Sequence, residues 1–222
     1  MGQMLVRELE SGAWDGMSFY GGTTSDDNPD RLFDADIIID FTTPDATRQH
    51  IRLAAQHHKP IIIGTTGISD ECIREMQEAA RECPLLYSAN MSIGINLLTV
   101  LVEQAATKLG PEFDIEILET HHRNKIDSPS GTALMLGRAT GRDTDKPDRN
   151  GKRQSGTIGY AVQRGGDVVG EHTVSFFGPG ERLELIHRAH DRSLFAKGAL
   201  RAARWIKEKS HGFYTMRNVL NI

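Results

Sequence analysis

Short apolar runs alternate with amphipathic segments along the first half of the chain. Nearly continuous apolar runs at residues 36–41, 60–63 and 85–87 have the pattern of strands that are covered on both faces of a parallel sheet. The segments between and after them predict helices over 44–57, from Asp70 to about residue 82, and over 93–109. Strands and helices that alternate in this way predict an α/β fold with a doubly wound, Rossmann-like parallel sheet.

The second half changes character, because its strand candidates are separated by glycine-rich turns rather than by helices. These candidates are 114–120, 156–164, 168–177 and 182–187. They predict a second, α+β domain with an antiparallel sheet. Residues 138–155 are rich in Arg, Asp, Lys and Gly and predict a mobile surface loop.

The last helix is predicted over residues 193–209, and it has one apolar face. We expect this helix to return to the first domain. Residues 1–91 and 194–222 would then form one domain, and residues 92–193 would form the other.

The start of the chain differs from a usual nucleotide-binding sheet. Such a sheet opens with a strand and a glycine-rich turn, whereas residues 1–6 already have a helical pattern. We therefore expect a sheet that lacks its usual first strand. The next strand candidate is 17–20, and the polar turn that follows it is either an ordinary turn or a contact for a dinucleotide ribose. That turn consists of Gly21, Gly22, Thr23, Thr24 and Ser25.

Composition and charge narrow the range of partners. A hydrophobic fraction of 38% and a charged fraction of 25% are typical of a globular protein. A net charge of -4 without a long basic run argues against nucleic acid and against an anionic membrane surface. Cys72 and Cys83 are too far apart in a predicted helical segment to form a disulfide, so we expect free thiols. No apolar run is long enough for a helix that spans a membrane. We expect a cytoplasmic protein with a small-molecule partner.

Two adjacent histidines follow the first strand candidate of the second domain. His121 and His122, with Lys125 close behind, can supply a proton donor near neutral pH and fixed positive charge. Protonation of a reduced intermediate and binding of a carboxylate both need such groups. The alternative is that these are solvated side chains of a surface loop.

A helix start follows these basic residues. Ser130, Gly131 and Thr132 would place backbone N–H groups and hydroxyls at the first turn, which suits an anion such as a carboxylate. Ser130 can equally be a simple helix cap.

Small and polar residues also follow two neighbouring strand candidates of the first domain. They are Gly64, Thr65 and Thr66 after one strand, and Ser88, Ala89, Asn90 and Met91 after the next. Ligands of open α/β sheets bind at the carboxyl ends of the strands. Small residues there would let a flat ring approach the backbone, and the polar ones could bond a carboxamide or a ribose.

A metal site built from Glu119, His121, His122 and His172 is a further possibility. The spacing argues against it, because adjacent histidines in an extended segment point apart and no helical His pair with a glutamate is present. We predict no metal.

The segment from Glu119 to Ala133 resembles the corresponding segment of dihydrodipicolinate reductases, and the similarity extends over nearly the whole chain. The motifs that carry it are Asp40-Phe41-Thr42, Gly64-Thr65-Thr66-Gly67, Ser88 to Gly94, Gly156-Thr157-Ile158-Gly159 and Gly170-Glu171-His172-Thr173. The resemblance implies reduction of 4-hydroxy-tetrahydrodipicolinate, after or with loss of water, to tetrahydrodipicolinate by NADH or NADPH, on the diaminopimelate route to lysine.

The resemblance also assigns roles to individual residues. It implies that His121 is the catalytic acid with Lys125 as its partner, and that His122, Ser130, Gly131 and Thr132 hold the carboxylates of a small cyclic dicarboxylate. The two strand-end groups, Gly64 to Thr66 and Ser88 to Met91, would contact the cofactor. Residues 1–91 and 194–222 would be the dinucleotide-binding domain, and 92–193 the substrate-binding domain, which would also assemble a homotetramer.

Two other functions compete with the reductase. A relative without the first strand could be a non-catalytic module that binds a dicarboxylate or assembles with itself but no longer holds dinucleotide. A metal-dependent hydrolase built on the histidines would contain zinc and lose its activity to a chelator.

Overall fold

The computed structural model describes residues 1–24, 27–143 and 152–222. It divides into two compact units, one made of Met1–Ile93 and Ser193–Ile222, the other of Gly94–Arg192. The predicted division at 91/92 and 193/194 falls close to these boundaries. Ser25 and residues 144–151 of the predicted loop 138–155 lie outside the described residues.

Helices and strands are numbered in chain order. The helices are α1 (Gly2–Glu10), α2 (Pro44–Gln56), α3 (Asp70–Ala79), α4 (Ile93–Leu109), α5 (Gly131–Ala139), α6 (Ser193–Ile206) and α7 (Met216–Leu220). The strands are β1 (Ile38–Asp40), β2 (Ile61–Ile63), β3 (Pro84–Tyr87), β4 (Asp114–His121), β5 (Ile158–Arg164), β6 (Gly170–Gly178), β7 (Glu181–Ala189) and β8 (Gly212–Tyr214). Among the described residues, no helix combines the length and the apolar character needed to cross a membrane.

The first unit contains a parallel sheet in the order β1-β2-β3-β8. Alternation along β2 sends Ile62 to one face, where α6 packs, and Ile61 and Ile63 to the other face, where α2 and α3 pack. Both faces are therefore covered, which explains why these strands are apolar throughout. The predicted doubly wound α/β fold is confirmed.

Two details of the first unit differ from prediction. Residues 17–20 form no strand, and in the described part of the chain the sheet ends at β1. They line instead a cavity of about 880 Å³ that also touches β1. Strand β8 was not predicted, since its three residues follow a helix without any alternation.

The second unit contains a sheet in the order β5-β4-β6-β7. Strands β4, β6 and β7 are antiparallel neighbours, as predicted, whereas β5 runs parallel to β4, so the sheet is mixed. A parallel pair needs a crossover rather than a hairpin, and α5 lies in the connection between β4 and β5. The core forms where α4 and α5 cover one face of this sheet.

A close backbone approach fixes α6 in the first unit. A β-carbon at Gly198 would lie 1.8 Å from the carbonyl oxygen of Met91. We expect Gly198→Ala to lower the free energy of unfolding by about 1–3 kcal/mol, because overpacking against a backbone atom outweighs the better helix propensity of alanine. Urea denaturation of this variant measures the difference.

Gly2→Ala in α1 is the matched control, because a β-carbon there meets nothing within 4 Å. Its stability should stay unchanged or rise slightly. A Gly198→Ala protein as stable as the Gly2→Ala protein would contradict the close approach.

Candidate active site

The carboxyl end of β4 carries the two most buried charged or titratable groups of the predicted motif. Alternation along the strand places Glu119 and His121 on the same, inner face, where they are 1% and 7% exposed. His122 follows the strand and is half-buried in a different environment. The two adjacent histidines therefore occupy separate surroundings.

Strand pairing brings two further side chains to this cluster. The antiparallel register pairs Glu119 with His172 on β6, and the parallel register pairs His121 with Arg164 on β5. Paired residues share a face of the sheet, so both neighbours point toward the same buried space. From the sequence, His172 is considered only as a possible metal ligand and as part of a resemblance motif, and Arg164 is not identified as a site residue.

The carboxylate of Glu119 is the centre of this arrangement. Its Oε1 accepts a hydrogen bond from the backbone N–H of Ser130 at 3.0 Å and another from Nη2 of Arg164 at 3.0 Å. Its Oε2 lies 3.4 Å from Nδ1 of His121 and 3.7 Å from Nε2 of His172. One carboxylate thus contacts the start of α5, the end of β5 and both imidazoles.

Arg164 extends the arrangement to the loop that carries Lys125. Its Nε donates to the carbonyl of Lys125 at 3.3 Å, and its Nη2 donates to the carbonyl of Asp127 at 2.7 Å. Lys125 Nζ in turn donates to both carboxylate oxygens of Asp127, at 2.7 and 2.9 Å. The predicted lysine is therefore held near the cluster by an arginine that is anchored on Glu119.

Burial and charge set the protonation states. Burial lowers the pKa of His121, and the charges of Lys125 and Arg164 add to this effect, while Glu119 opposes it. Burial alone would raise the pKa of Glu119, but hydrogen bonds from Ser130 and Arg164 outweigh it, so the pKa is lowered. The carboxylate is ionised at neutral pH beside imidazoles that resist protonation.

The start of α5 lies against the same cluster. Ser130 is the N-cap, and its Oγ accepts from the N–H of Ala133 at 3.1 Å and lies 3.3 Å from Nε2 of His172. Ser130 therefore serves the cap and the buried cluster. Gly131 is exposed and Thr132 half-buried in the first turn of this nine-residue helix, where backbone N–H groups face outward.

His122 borders a surface pocket of about 650 Å³ within the second unit. Nη2 of Arg192 lies 3.3 Å from its Nε2. The pocket is lined by His122, Arg123, Asn124, Gly166, Asp167, Val169 and Arg192. Two guanidinium groups make this a place for an anion, and the sequence analysis missed Arg192 because it lies 70 positions from His122.

The first predicted strand-end group is partly committed to the fold. The Oγ1 of Thr65 accepts from the N–H of Thr42 at 3.1 Å and from the hydroxyl of Thr47 at 2.9 Å. A β-carbon at Gly64 would lie 2.2 Å from the ring of Phe41, so packing of that ring requires glycine there. Thr66 is exposed at the edge of the sheet.

The second strand-end group is a turn closed by its own polar groups. The hydroxyl of Ser88 donates to the carbonyl of Asn90 at 2.7 Å, and Oδ1 of Asn90 accepts from the N–H of Ser92 at 2.8 Å. Ala89 is exposed, whereas the side chain of Met91 is 1% exposed and packs in the core. Neighbouring parallel strands bring both groups to one edge of the sheet.

The cavity of about 880 Å³ in the first unit fits a dinucleotide in size and lining. Its walls include the turn from Gly21 to Thr24 and the carboxyl end of β1 at Phe41 and Thr42. Glycines there leave the backbone accessible. The hydroxyls of Thr24 and Thr42 donate to Asp27 and Asp40, and their oxygens can still accept a hydrogen bond from a ribose. The residues present therefore fit a nicotinamide dinucleotide on this side of the sheet.

Glu119, His121 and His172 also have the donor set of a metal site, with ligand atoms within 4.8 Å of one another. Two cations already act on these groups, because Arg164 bonds the carboxylate and the charge of Lys125 lowers the pKa of His121. A third positive charge in this buried space is disfavoured.

Comparison with known families covers both units. The model of the dihydrodipicolinate reductase N-terminus matches residues 3–91, and that of the C-terminus matches residues 94–220. The chain belongs to the dihydrodipicolinate reductase family. Because a match to this family extends through the dinucleotide side as well as the substrate side, it does not favour a non-catalytic assembly module.

Curated relatives are similar along most of their length. The 4-hydroxy-tetrahydrodipicolinate reductase of Methylocella silvestris is 48% identical over 96% of this chain and 82% of the relative. That of Thiobacillus denitrificans is 43% identical over 100% of this chain and 86% of the relative.

A solved dihydrodipicolinate reductase from Paenisporosarcina sp. TG-14, with dipicolinate bound, superposes with a TM-score of 0.75 at 22% identity. The match covers 96% of this chain and 92% of that one. It supports the two-part reductase fold.

The buried His172 makes stability depend on pH. Burial, followed by repulsion from His121, lowers the pKa of His172 from an ordinary 6.5 to about 4. The unfolded chain takes up a proton at His172 near pH 6.5, whereas the folded protein does so only near pH 4. Unfolding is therefore favoured progressively as the pH falls through this window, by up to about 3 kcal/mol.

Denaturant unfolding of the wild type and of His172→Gln at several pH values measures this effect. The stability of the wild type relative to the variant should decline between pH 6.5 and 4 and then level off. A difference that is independent of pH would show that His172 is protonated in the folded protein as readily as in the unfolded chain.

Proposed function

We propose that the chain reduces 4-hydroxy-tetrahydrodipicolinate to tetrahydrodipicolinate with NADH or NADPH, with the 4-hydroxyl group leaving as water, as a step of the diaminopimelate route to lysine. The observation that carries the proposal is the cluster at the end of β4, where His121 and the loop of Lys125 are gathered around Glu119. Curated relatives with 43–48% identity bear the name of this activity.

His121 is the proton donor in this proposal. Bound NADH or NADPH would supply the hydride, and the protein must supply a proton to the same substrate. A histidine at the edge of a buried cluster, with a carboxylate beside one ring nitrogen, can deliver it. Lys125 supplies positive charge near His121. Its ammonium forms an ion pair with Asp127, so it can pair with a carboxylate.

The substrate carboxylates need cationic and N–H groups on the same unit. His122 and Arg192 line one pocket, while Gly131 and Thr132 open α5 with Ser130 as its cap. We assign these residues to a small cyclic dicarboxylate. Dipicolinate bound to the Paenisporosarcina reductase is a ligand of the same class.

The dinucleotide is assigned to the first unit. Gly64, Thr65 and Thr66, together with Ser88, Ala89, Asn90 and Met91, lie at the carboxyl ends of adjacent strands. Contacts there come from backbone groups and the exposed Thr66 and Ala89, because the hydroxyl of Thr65 and the side chain of Met91 are already packed inside.

We further propose a homotetramer that assembles through the outer face of the second sheet. Leu118 and Ile186 belong to this face and are 37% and 44% exposed, although both are apolar. Light scattering should give the mass of four chains, and a monomer at micromolar concentration would contradict the assignment.

We also propose a cytoplasmic location. It agrees with the unbridged Cys72 and Cys83, and cell fractionation tests it.

The activity is tested by mixing the chain with NADPH or NADH and 4-hydroxy-tetrahydrodipicolinate and following nicotinamide absorbance. We expect turnover, and we expect pyridine-2,6-dicarboxylate to tighten dinucleotide binding measured by nicotinamide fluorescence. Dicarboxylate binding without any dinucleotide binding would overturn the reductase and support the non-catalytic module.

Substitutions separate chemistry from binding. Lys125→Ala should lower kcat at least about tenfold, because it removes the charge beside the proton donor. Lys108→Ala, at the exposed end of α4, is the control and should leave kcat unchanged.

His122→Gln should chiefly raise KM, because we assign His122 to binding of the substrate carboxylate. A loss of kcat at constant KM in His122→Gln would place this residue in the chemical step.

A further inference from the structure

The carboxylate of Glu119 lies buried at the centre of the proposed site. It is 1% exposed, and an ionised carboxylate in such a place is unfavourable unless it is fully bonded. Its Oε1 is satisfied by Ser130 and Arg164, but its Oε2 has no hydrogen-bond partner. The same is true of Nδ1 of His121.

These two unpartnered atoms face each other at 3.4 Å. A somewhat shorter distance and a better-aligned ring N–H would give an ordinary N–H···O hydrogen bond and satisfy both atoms. His172 is the other imidazole near Oε2, but it is farther away, at 3.7 Å. Its Nε2 also lies 3.3 Å from the hydroxyl of Ser130, which leaves Oε2 to His121.

Oriented in this way, the His121 ring keeps its second nitrogen for the substrate. A β-carbon at Gly170 would lie 3.0 Å from Nε2, so the glycine gives this nitrogen room. When the imidazolium donates the proton on Nε2, it becomes a neutral ring that retains its proton on Nδ1, where the carboxylate holds it. A carboxylate behind a histidine orients the ring and stabilises its charged form.

We infer that Glu119 is a positioning residue, whose Oε2 holds the Nδ1–H of His121 and favours the charged, proton-donating form of that imidazole. This inference rests on the proposed role of His121 as the acid. The other charged or titratable groups around the ring are Lys125, Asp127, Arg164 and His172. Lys125 and Arg164 disfavour the charged ring, whereas Asp127 favours it.

Glu119→Gln tests the inference, because it keeps the size of the side chain and removes its charge. The His121 imidazole, assigned with a His121→Gln protein, is titrated by NMR in the free protein. We expect its pKa to fall in Glu119→Gln. The limb of the kcat/KM profile on which the acid loses its proton should move to lower pH, and kcat at neutral pH should drop about tenfold or more while KM changes little.

Glu119→Asp keeps the charge but shortens the side chain, so it should retain part of the His121 titration shift and part of the activity. It also provides the readout if Glu119→Gln does not fold, which thermal unfolding reveals. Glu112→Gln is the matched control, because Glu112 is exposed just before the other end of β4 and should alter neither titration nor profile.

The outcomes separate the inference from the function. An unchanged His121 titration in a folded Glu119 variant would overturn the positioning role, even if the enzyme is active. Undiminished turnover in His121→Gln would overturn the proposed acid instead, whatever the titration shows. Equal losses of kcat in the Gln and Asp variants, without movement of the pH profile, would make Glu119 purely structural.

Discussion

One buried negative charge determines how the candidate site is put together. Glu119 bonds the N-cap of α5 and the guanidinium of Arg164, and it faces the imidazole of His121. Arg164 continues from there to the carbonyls of the loop around Lys125. Every residue proposed for proton transfer is therefore within one or two contacts of a single carboxylate.

A buried ion pair adds little to stability by itself, because desolvation of the two charges offsets their attraction. The Glu119–Arg164 pair is better explained by geometry. Removing either partner would leave a charge without its counterion in a space where the sheet and α5 meet. The pair thereby couples the position of the loop that carries Lys125 to the packing of the second sheet.

Strands β1, β2 and β3 of the first sheet could be predicted from the sequence, because parallel strands are covered on both faces and appear as nearly unbroken apolar runs. Residues 17–20 have a similar pattern but lack a neighbouring strand, so local pattern alone predicted them wrongly. The parallel pairing of β5 was missed for a related reason: chain direction depends on the connection rather than on the strand itself.

For the site, the adjacent histidines, Lys125 and the start of α5 lie in one continuous motif and could be recognised locally. Arg164 lies 45 positions from Glu119, and His172 lies 42 positions from Ser130. Only the strand register brings these residues together. The spacing of Glu119 and His121 by two positions on a strand was the local signal that could have revealed their partnership.

That spacing has a consequence for how the family can change its length. Inserting or deleting one residue within β4 would turn Glu119 and His121 to the outer face and bring Thr120 and His122 inward. Inserting or deleting two residues would return both side chains to the inner face. It would also shift their pairing with β5 and β6 by two residues. Length variation during evolution or engineering should therefore be confined to the segments outside this strand, where a change of residue number does not reassign which histidine meets the carboxylate.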